Sequence, residues 1–292
     1  MKSFKDAIRT RDFAVSAEIF LRPESSIDSI TEQADLLRDH VDAILLTDNQ
    51  FGRIHMSTPV AASILINAGV DPIVQIASRN RNRVALISDL MGAAALGVTS
   101  LLLVKGDHAP KELNLRPKPG LDAKSTELIR MASTVSQDPR ISHAPDFCIG
   151  GLVTAHRPKK NWNGKLLVDK IEAGAGYLQA HICMDIEVLK TFMKRLVDIG
   201  IVRRTSIIGA TVILESAEDA RSLRENRRNV LIPDSVVERL EQASDPRQEG
   251  INICAEILQA MRDIPGISGA NIVAARDLAT IPEVIDAAGL RQ

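Results

Sequence analysis

A chain of 292 residues, 45% apolar and 25% charged, has the length and composition of one ordinary α/β barrel. Its net charge of −1 leaves no basic excess for a nucleic-acid or membrane footprint, and six Phe, one Tyr and one Trp are too few for stacking platforms along single-stranded nucleic acid. No leader-like segment opens it and no run nears the roughly 18 apolar residues of a membrane span, so a cytoplasmic protein is expected.

The first apolar run, VSAEIF (15–20), carries one carboxylate, Glu18. Period-two alternation sets Ser16, Glu18 and Phe20 on one face of this predicted strand, with Ala17 and Ile19 on the other. Residues 26–39 read as a helix capped by Ser26, with Ile27, Ile30, Ala34 and Leu37 along one face. The second strand, AILLTDN (43–49), ends in Thr47-Asp48-Asn49, a sequence that also suits an Asx turn. A helix over 57–69 starts at a Ser57 cap with Pro59 in its first turn and stops at Gly69.

The third strand, DPIVQIAS (71–78), carries Gln75 and leads to Arg79, Arg81 and Arg83, which have the spacing of a solvated face; a helix over 82–97 follows. In the fourth, SLLLVKGD (100–107), four apolar residues run straight into Lys105-Gly106-Asp107. Further strands are expected at 146–153, 177–184 (with Gln179 and His181), 206–213 and 268–275, and helices at 164–174, 185–200, 216–228 and about 280–289. Cys148, Cys183 and Cys254 lack metal-ligand spacing and read as reduced core residues.

Continuous apolar runs suit strands covered on both faces, and eight of them alternating with helices predict a single (β/α)8 TIM barrel forming one catalytic domain over 1–292. A doubly wound open sheet is the alternative, but no strand leads into a G-x-G-x-x-G turn. In a barrel, Lys105, Gly106 and Asp107 sit at the C-terminal rim, where the long segments 108–121 and 154–163 would form lids. Glu18 either faces the lumen as a general acid of raised pKa or is a buried carboxylate held by a cation. His181 also suits a core histidine, and no motif for a metal or a serine nucleophile is present.

Taken in chain order, these motifs resemble those of the methylenetetrahydrofolate reductases. The segments are AEIF, LLTDNQFGRIHMS (45–57), IVQIASRNRNRVALISDLMGAAALGVTSLLLVKGD (73–107), KIEAGAGYLQAHICMD (170–185) and LIPDSVVERL (231–240). The resemblance is to that family's catalytic barrel, with no regulatory domain expected. It implies reduction of 5,10-methylenetetrahydrofolate to 5-methyltetrahydrofolate in one-carbon metabolism and methionine biosynthesis. FAD would be the cofactor, NADH or NADPH the hydride donor, and a homo-oligomer is possible. Glu18 would be the general acid. Thr47, Gln75, Arg79, Lys105, Gly106, Asp107 and Lys170 would bind the cofactor, and Asp48, Asn49, Asp107 and His181 the folate.

Several positions depart from the family pattern. Gln75 replaces a histidine, Ala77-Ser78-Arg79-Asn80 replaces T-C-R-D, and Lys105 replaces an Arg or Thr. His181 replaces a glutamine, exchanging an amide for a ring expected to titrate near neutrality. Lys159 and Lys160 in the 154–163 loop would suit a phosphate or a polyglutamate tail. The departures leave open a flavin-independent reductase with direct hydride transfer, a lyase using Lys105 as a Schiff-base lysine, and a folate- or flavin-binding barrel without turnover.

Overall fold

The computed structural model describes residues 3–10, 13–108, 120, 122–141, 146–227 and 229–291. The strands are β1 (Ala14–Ile19), β2 (Ala43–Leu46), β3 (Pro72–Ala77), β4 (Ser100–Val104), β5 (Cys148–Val153), β6 (Tyr177–Ala180), β7 (Ser206–Ile213) and β8 (Ile267–Ala274). They close in sequence order into a parallel barrel, β8 pairing with β1 through Ser16–Asn271 and Glu18–Val273. The expected (β/α)8 barrel is the observed fold.

Each strand's alternation divides its side chains between two cores. Val15, Ala17 and Ile19 face outward and pack with Ile30, Ala34 and Leu37 of helix α2 (Ile27–Leu37). Ala14, Leu45, Ile73, Leu102 and Tyr177 fill the lumen with Phe4, from the short helix α1 (Phe4–Thr10). That helix plugs the N-terminal end of the barrel. The Phe4 ring stands edge-on to Tyr177 at a centroid distance of 5.4 Å, and its N–H donates to Asp71 Oδ2 at 2.6 Å just before β3. Gly150 leaves room for the Tyr177 ring, since a Cβ there would lie 2.1 Å from Cζ. The Tyr177 hydroxyl donates to the Leu101 carbonyl at 2.9 Å.

The remaining helices are α3 (Thr58–Asn67), α4 (Arg83–Ala95), α5 (Ser125–Gln137), α6 (Lys165–Glu172), α7 (Ile186–Asp198), α8 (Ala217–Asn226), α9 (Asp234–Gln242), α10 (Pro246–Asp263) and α11 (Thr280–Ala287). Helices α1, α5, α9 and α10 are absent from the sequence reading. In α5 the buried Leu128, Ile129, Ala132 and Val135 are diluted by Ser and Thr. Within α10, Gly250 weakens the helical signal, yet the fold requires it: a Cβ would fall 1.7 Å from the Leu214 carbonyl oxygen.

Ser26 caps α2 reciprocally with Ser29, as expected of a capping residue. Two local expectations are corrected. Ser57 precedes α3 but makes no side-chain cap bond. Ile27 is 68% exposed, because the first turn of α2 starts at the rim, beyond the stripe of Ile30, Ala34 and Leu37. All three cysteines are buried and free, and burial pushes each thiol up to about 12. Among the described residues, no helix is long and apolar enough to cross a membrane.

Candidate active site

Several strands end earlier than their apolar runs suggest. β2 stops at Leu46, β4 at Val104 and β6 at Ala180, so the polar residues that follow leave the sheet at its C-terminal mouth. There they surround a cavity of about 1000 Å3. Glu18, Thr47, Asp48, Gln75 and Arg79 line it, as do Lys105, Gly106, Asp107, Lys170 and His181. Asn49 does not. Its backbone is left-handed (φ 48°), its amide side chain donates to the Arg53 carbonyl at 2.8 Å and its N–H to His55 Nε2 at 2.6 Å, which makes it a turn residue. Of the segment 108–121 proposed as a lid, residues 109–119 and 121 lie outside the described residues.

Glu18 is buried on the lumenal face of β1. Its Oε1 accepts from Gln50 Nε2 and Arg227 Nη2, both at 3.2 Å, and its Oε2 from Asn271 Nδ2 at 3.3 Å. Asn271 is oriented in turn by the Ser16 hydroxyl, which donates to its Oδ1 at 2.9 Å. Burial raises the Glu18 pKa, and the Arg227 charge and the Asn271 hydrogen bond oppose that rise only in part. Glu18 thus faces the lumen and also has a cationic partner, two placements that the sequence reading set as alternatives.

Asp48 is also buried, with its oxygens engaged: it accepts from the Ala77 N–H at 2.7 Å and from Arg81, whose Nη2 lies 3.2 Å from Oδ1. Arg81 also pairs with Asp89 at 2.9 Å. The arginines do not form a solvated face. Buried Arg79 donates from Nε to the Gly106 carbonyl at 2.9 Å, and of the three only Arg83 pairs at the surface, with Asp122 and Glu127. These bonds tie the exit of β3 to the exit of β4.

Gly106 turns there with φ +82°, and a Cβ would lie 2.7 Å from the Ala77 Cβ, so the position requires glycine. Asp107 accepts from the Phe51 N–H at 2.9 Å. Phe51 belongs to a 3-10 turn, Gln50–Gly52, and has a left-handed backbone (φ 56°).

At the exit of β5, beside β4, the Lys170 ammonium donates to the Leu152 carbonyl, and burial lowers its pKa. His181 does not titrate near neutrality. Burial pushes its pKa down to about 4, the charges of Arg227 and Lys170 add to that, and Asp107 opposes it. A neutral imidazole therefore faces the cavity. Lys105 is exposed at the rim, without the desolvation that activates a Schiff-base lysine.

Gln50, Phe51, Gln179, Arg227 and Asn271 also line the cavity and are absent from the predicted site residues. Asn271 had a legible signal, since it interrupts the apolar run of β8 as Glu18 interrupts that of β1. Buried Oε1 atoms of Gln50 and Gln179 have no hydrogen-bond partner among the described residues, an arrangement suited to a ligand that presents N–H donors. Among the described residues, no group of three His, Cys, Asp or Glu side chains could hold a metal ion.

A family model described as methylenetetrahydrofolate reductase matches residues 3–289. No curated protein sequence matches the chain. Among solved structures, it is similar to an uncharacterized protein from Clostridium thermocellum that binds two copies of 5-methyl-5,6,7,8-tetrahydrofolic acid. The TM-score is 0.70 at 16% identity, covering 98% of this chain and 99% of that one. DmoA from Hyphomicrobium sulfonivorans gives a TM-score of 0.56 at 11% identity, covering 94% and 86%. Tryptophan synthase from M. tuberculosis gives 0.52 at 13%, covering 99% and 97%. At these identities the likeness is one of fold.

Proposed function

Because the chain belongs to the methylenetetrahydrofolate reductase family, we propose that it reduces 5,10-methylenetetrahydrofolate to 5-methyltetrahydrofolate with Glu18 as general acid. The observation that carries this reading is a buried carboxyl of raised pKa at the wall of a cavity of about 1000 Å3. Such a group keeps its proton closer to neutral pH than an exposed glutamate and can deliver it inside an enclosed site. That proton goes to the folate nitrogen released as the five-membered ring opens, which leaves an exocyclic iminium for a hydride to reduce. Asn271, fixed by Ser16, holds Oε2 in place, while the buried acceptors on Gln50 and Gln179 suit the N–H edge of a pterin. A similar fold with 5-methyltetrahydrofolate bound supports a folate ligand.

The residues present also fit FAD. Leu45, Leu102 and Leu152 offer an apolar floor for a planar ring, and Lys105 and Lys170 supply cations for a diphosphate. When bound, the reduced flavin would supply the hydride, replenished by NADH or NADPH. Arg79, fastened to Gly106, would shape the rim around it, and neutral His181 would contribute a hydrogen bond and no charge.

Glu18→Gln tests the reading. It should lower folate reduction by about 10²- to 10⁴-fold and leave any reduction of added FAD by NADH intact. Unchanged folate turnover in that variant would remove Glu18 from the mechanism.

A further inference from the structure

Arg227 is the one formal charge in hydrogen-bond contact with Glu18 among the described residues, and the mechanism above gives it no task. It follows α8 directly and reaches Glu18 across 209 positions of sequence. Its guanidinium carbon stands 5.7 Å from the centroid of the Phe51 ring, and that of Arg53 lies at 5.7 Å from the same ring. Phe51 is itself held in place, its left-handed backbone tied to Asp107 through its N–H. A non-glycine residue keeps that conformation only where its surroundings impose it.

The other groups around Glu18 carry no comparable charge toward it. Gln50 and Asn271 are neutral donors, and Asp48 is compensated by Arg81. Lys170 is turned to the Leu152 carbonyl, and Asp107 to the Phe51 amide. His181 is neutral above a pKa of about 4. Both Phe51 and Arg227 line the cavity, so a planar ligand entering it competes with the guanidinium for the face of the ring.

On the acid role given to Glu18, we propose that Arg227, braced on Phe51, weakens the hold of Glu18 on its proton in the ligand-free protein. A planar ligand that takes the guanidinium's place on the ring releases Glu18 to bind the proton it will deliver. The proton comes from solvent as the ligand enters, and no other bond changes. Arg227 is thus a positioning residue that couples occupancy of the site to the readiness of its acid.

The test is a carbon-13 titration of the protein labelled at the glutamate side-chain carboxyl, with Glu18→Gln identifying the resonance. In Arg227→Gln the Glu18 midpoint should move upward by about one pH unit. In Arg227→Lys, which restores a charge, it should lie near that of the unsubstituted protein. Phe51→Leu, which keeps Arg227 but removes its brace, should move it part of the way. Saturating 5-methyltetrahydrofolate at neutral pH should shift the Glu18 resonance of the unsubstituted protein toward its acid position. An unmoved midpoint in Arg227→Gln, or a resonance indifferent to 5-methyltetrahydrofolate that calorimetry shows to be bound, would overturn the proposal, whereas no binding at all would count against the folate reading. The titration needs no turnover, so the two readings can fail separately. The expected midpoints and ligand response in a protein that reduces no methylenetetrahydrofolate would refute the reductase and leave the hold of Arg227 on Glu18 standing.

Discussion

Asp71→Asn tests whether α1 seals the barrel as described. Asp71 is 4% exposed, accepts from the Phe4 N–H at 2.6 Å and from the Thr99 hydroxyl at 3.4 Å, and burial raises its pKa from 3.8 to about 6. The folded value lies above the unfolded one, so the folded protein binds this proton more tightly. The resulting stabilisation is complete below the unfolded pKa and is lost as pH rises through about 6. At about 1.36 kcal/mol per pH unit, that interval corresponds to roughly 3 kcal/mol. Asparagine keeps an acceptor for the Phe4 N–H but carries no charge at any pH. Urea unfolding of both proteins from about pH 4 to about pH 8 then isolates the group as a difference curve. The variant should gain stability relative to the original with rising pH, by up to roughly 3 kcal/mol, levelling off above about pH 7. A flat curve would show that no ionisable Asp71 is buried beneath α1.

Gly106→Ala forces a side chain into a left-handed turn already crowded by Ala77; it should cost about 1–3 kcal/mol and weaken binding of 5-methyltetrahydrofolate, and an unchanged thermal midpoint would contradict the geometry. His181 should show a nitrogen-15 titration midpoint near 4, because burial favours the neutral ring; its contribution to stability is lost as pH falls below the ordinary histidine range. The pH dependence of activity in His181→Gln should therefore keep its shape between about pH 6 and about pH 8, and a limb that disappears in that variant would show an imidazole that titrates in the working range.

The strands were legible because nearly all of their residues are buried, so their apolar runs are interrupted only by isolated polar residues such as Glu18 and Asn271; the ends misled. Thr47-Asp48-Asn49 and Lys105-Gly106-Asp107 continue the runs in sequence but leave the sheet to build the mouth. Glu18 was legible for the opposite reason, as a charge set among apolar neighbours. Asn271 carries the same kind of signal at matching parity on β8, opposite Ser16 and two register positions from Val273, the partner of Glu18. Arg227 has no such signal. It lies in the charged segment SLRENRR (222–228), where every long side chain looks solvated, and its partner lies 209 residues away. The Arg79–Arg83 cluster misled in the same manner, since local spacing cannot show that Asp48 waits across the rim for Arg81. Gly250 is set by the approach of α10 to Leu214, a contact with no trace in helix propensity.

The plug formed by Phe4 and Tyr177 makes the lumen a shaft closed at its lower end. Glu18 lies above that seal, so protons reach it through the mouth, the same opening that admits the ligand. On the acid role proposed for Glu18, a ligand seated in the mouth would stand between that acid and solvent, so its proton would have to be in place before or as the ligand enters. A barrel built this way would take up one proton for each visit of its ligand.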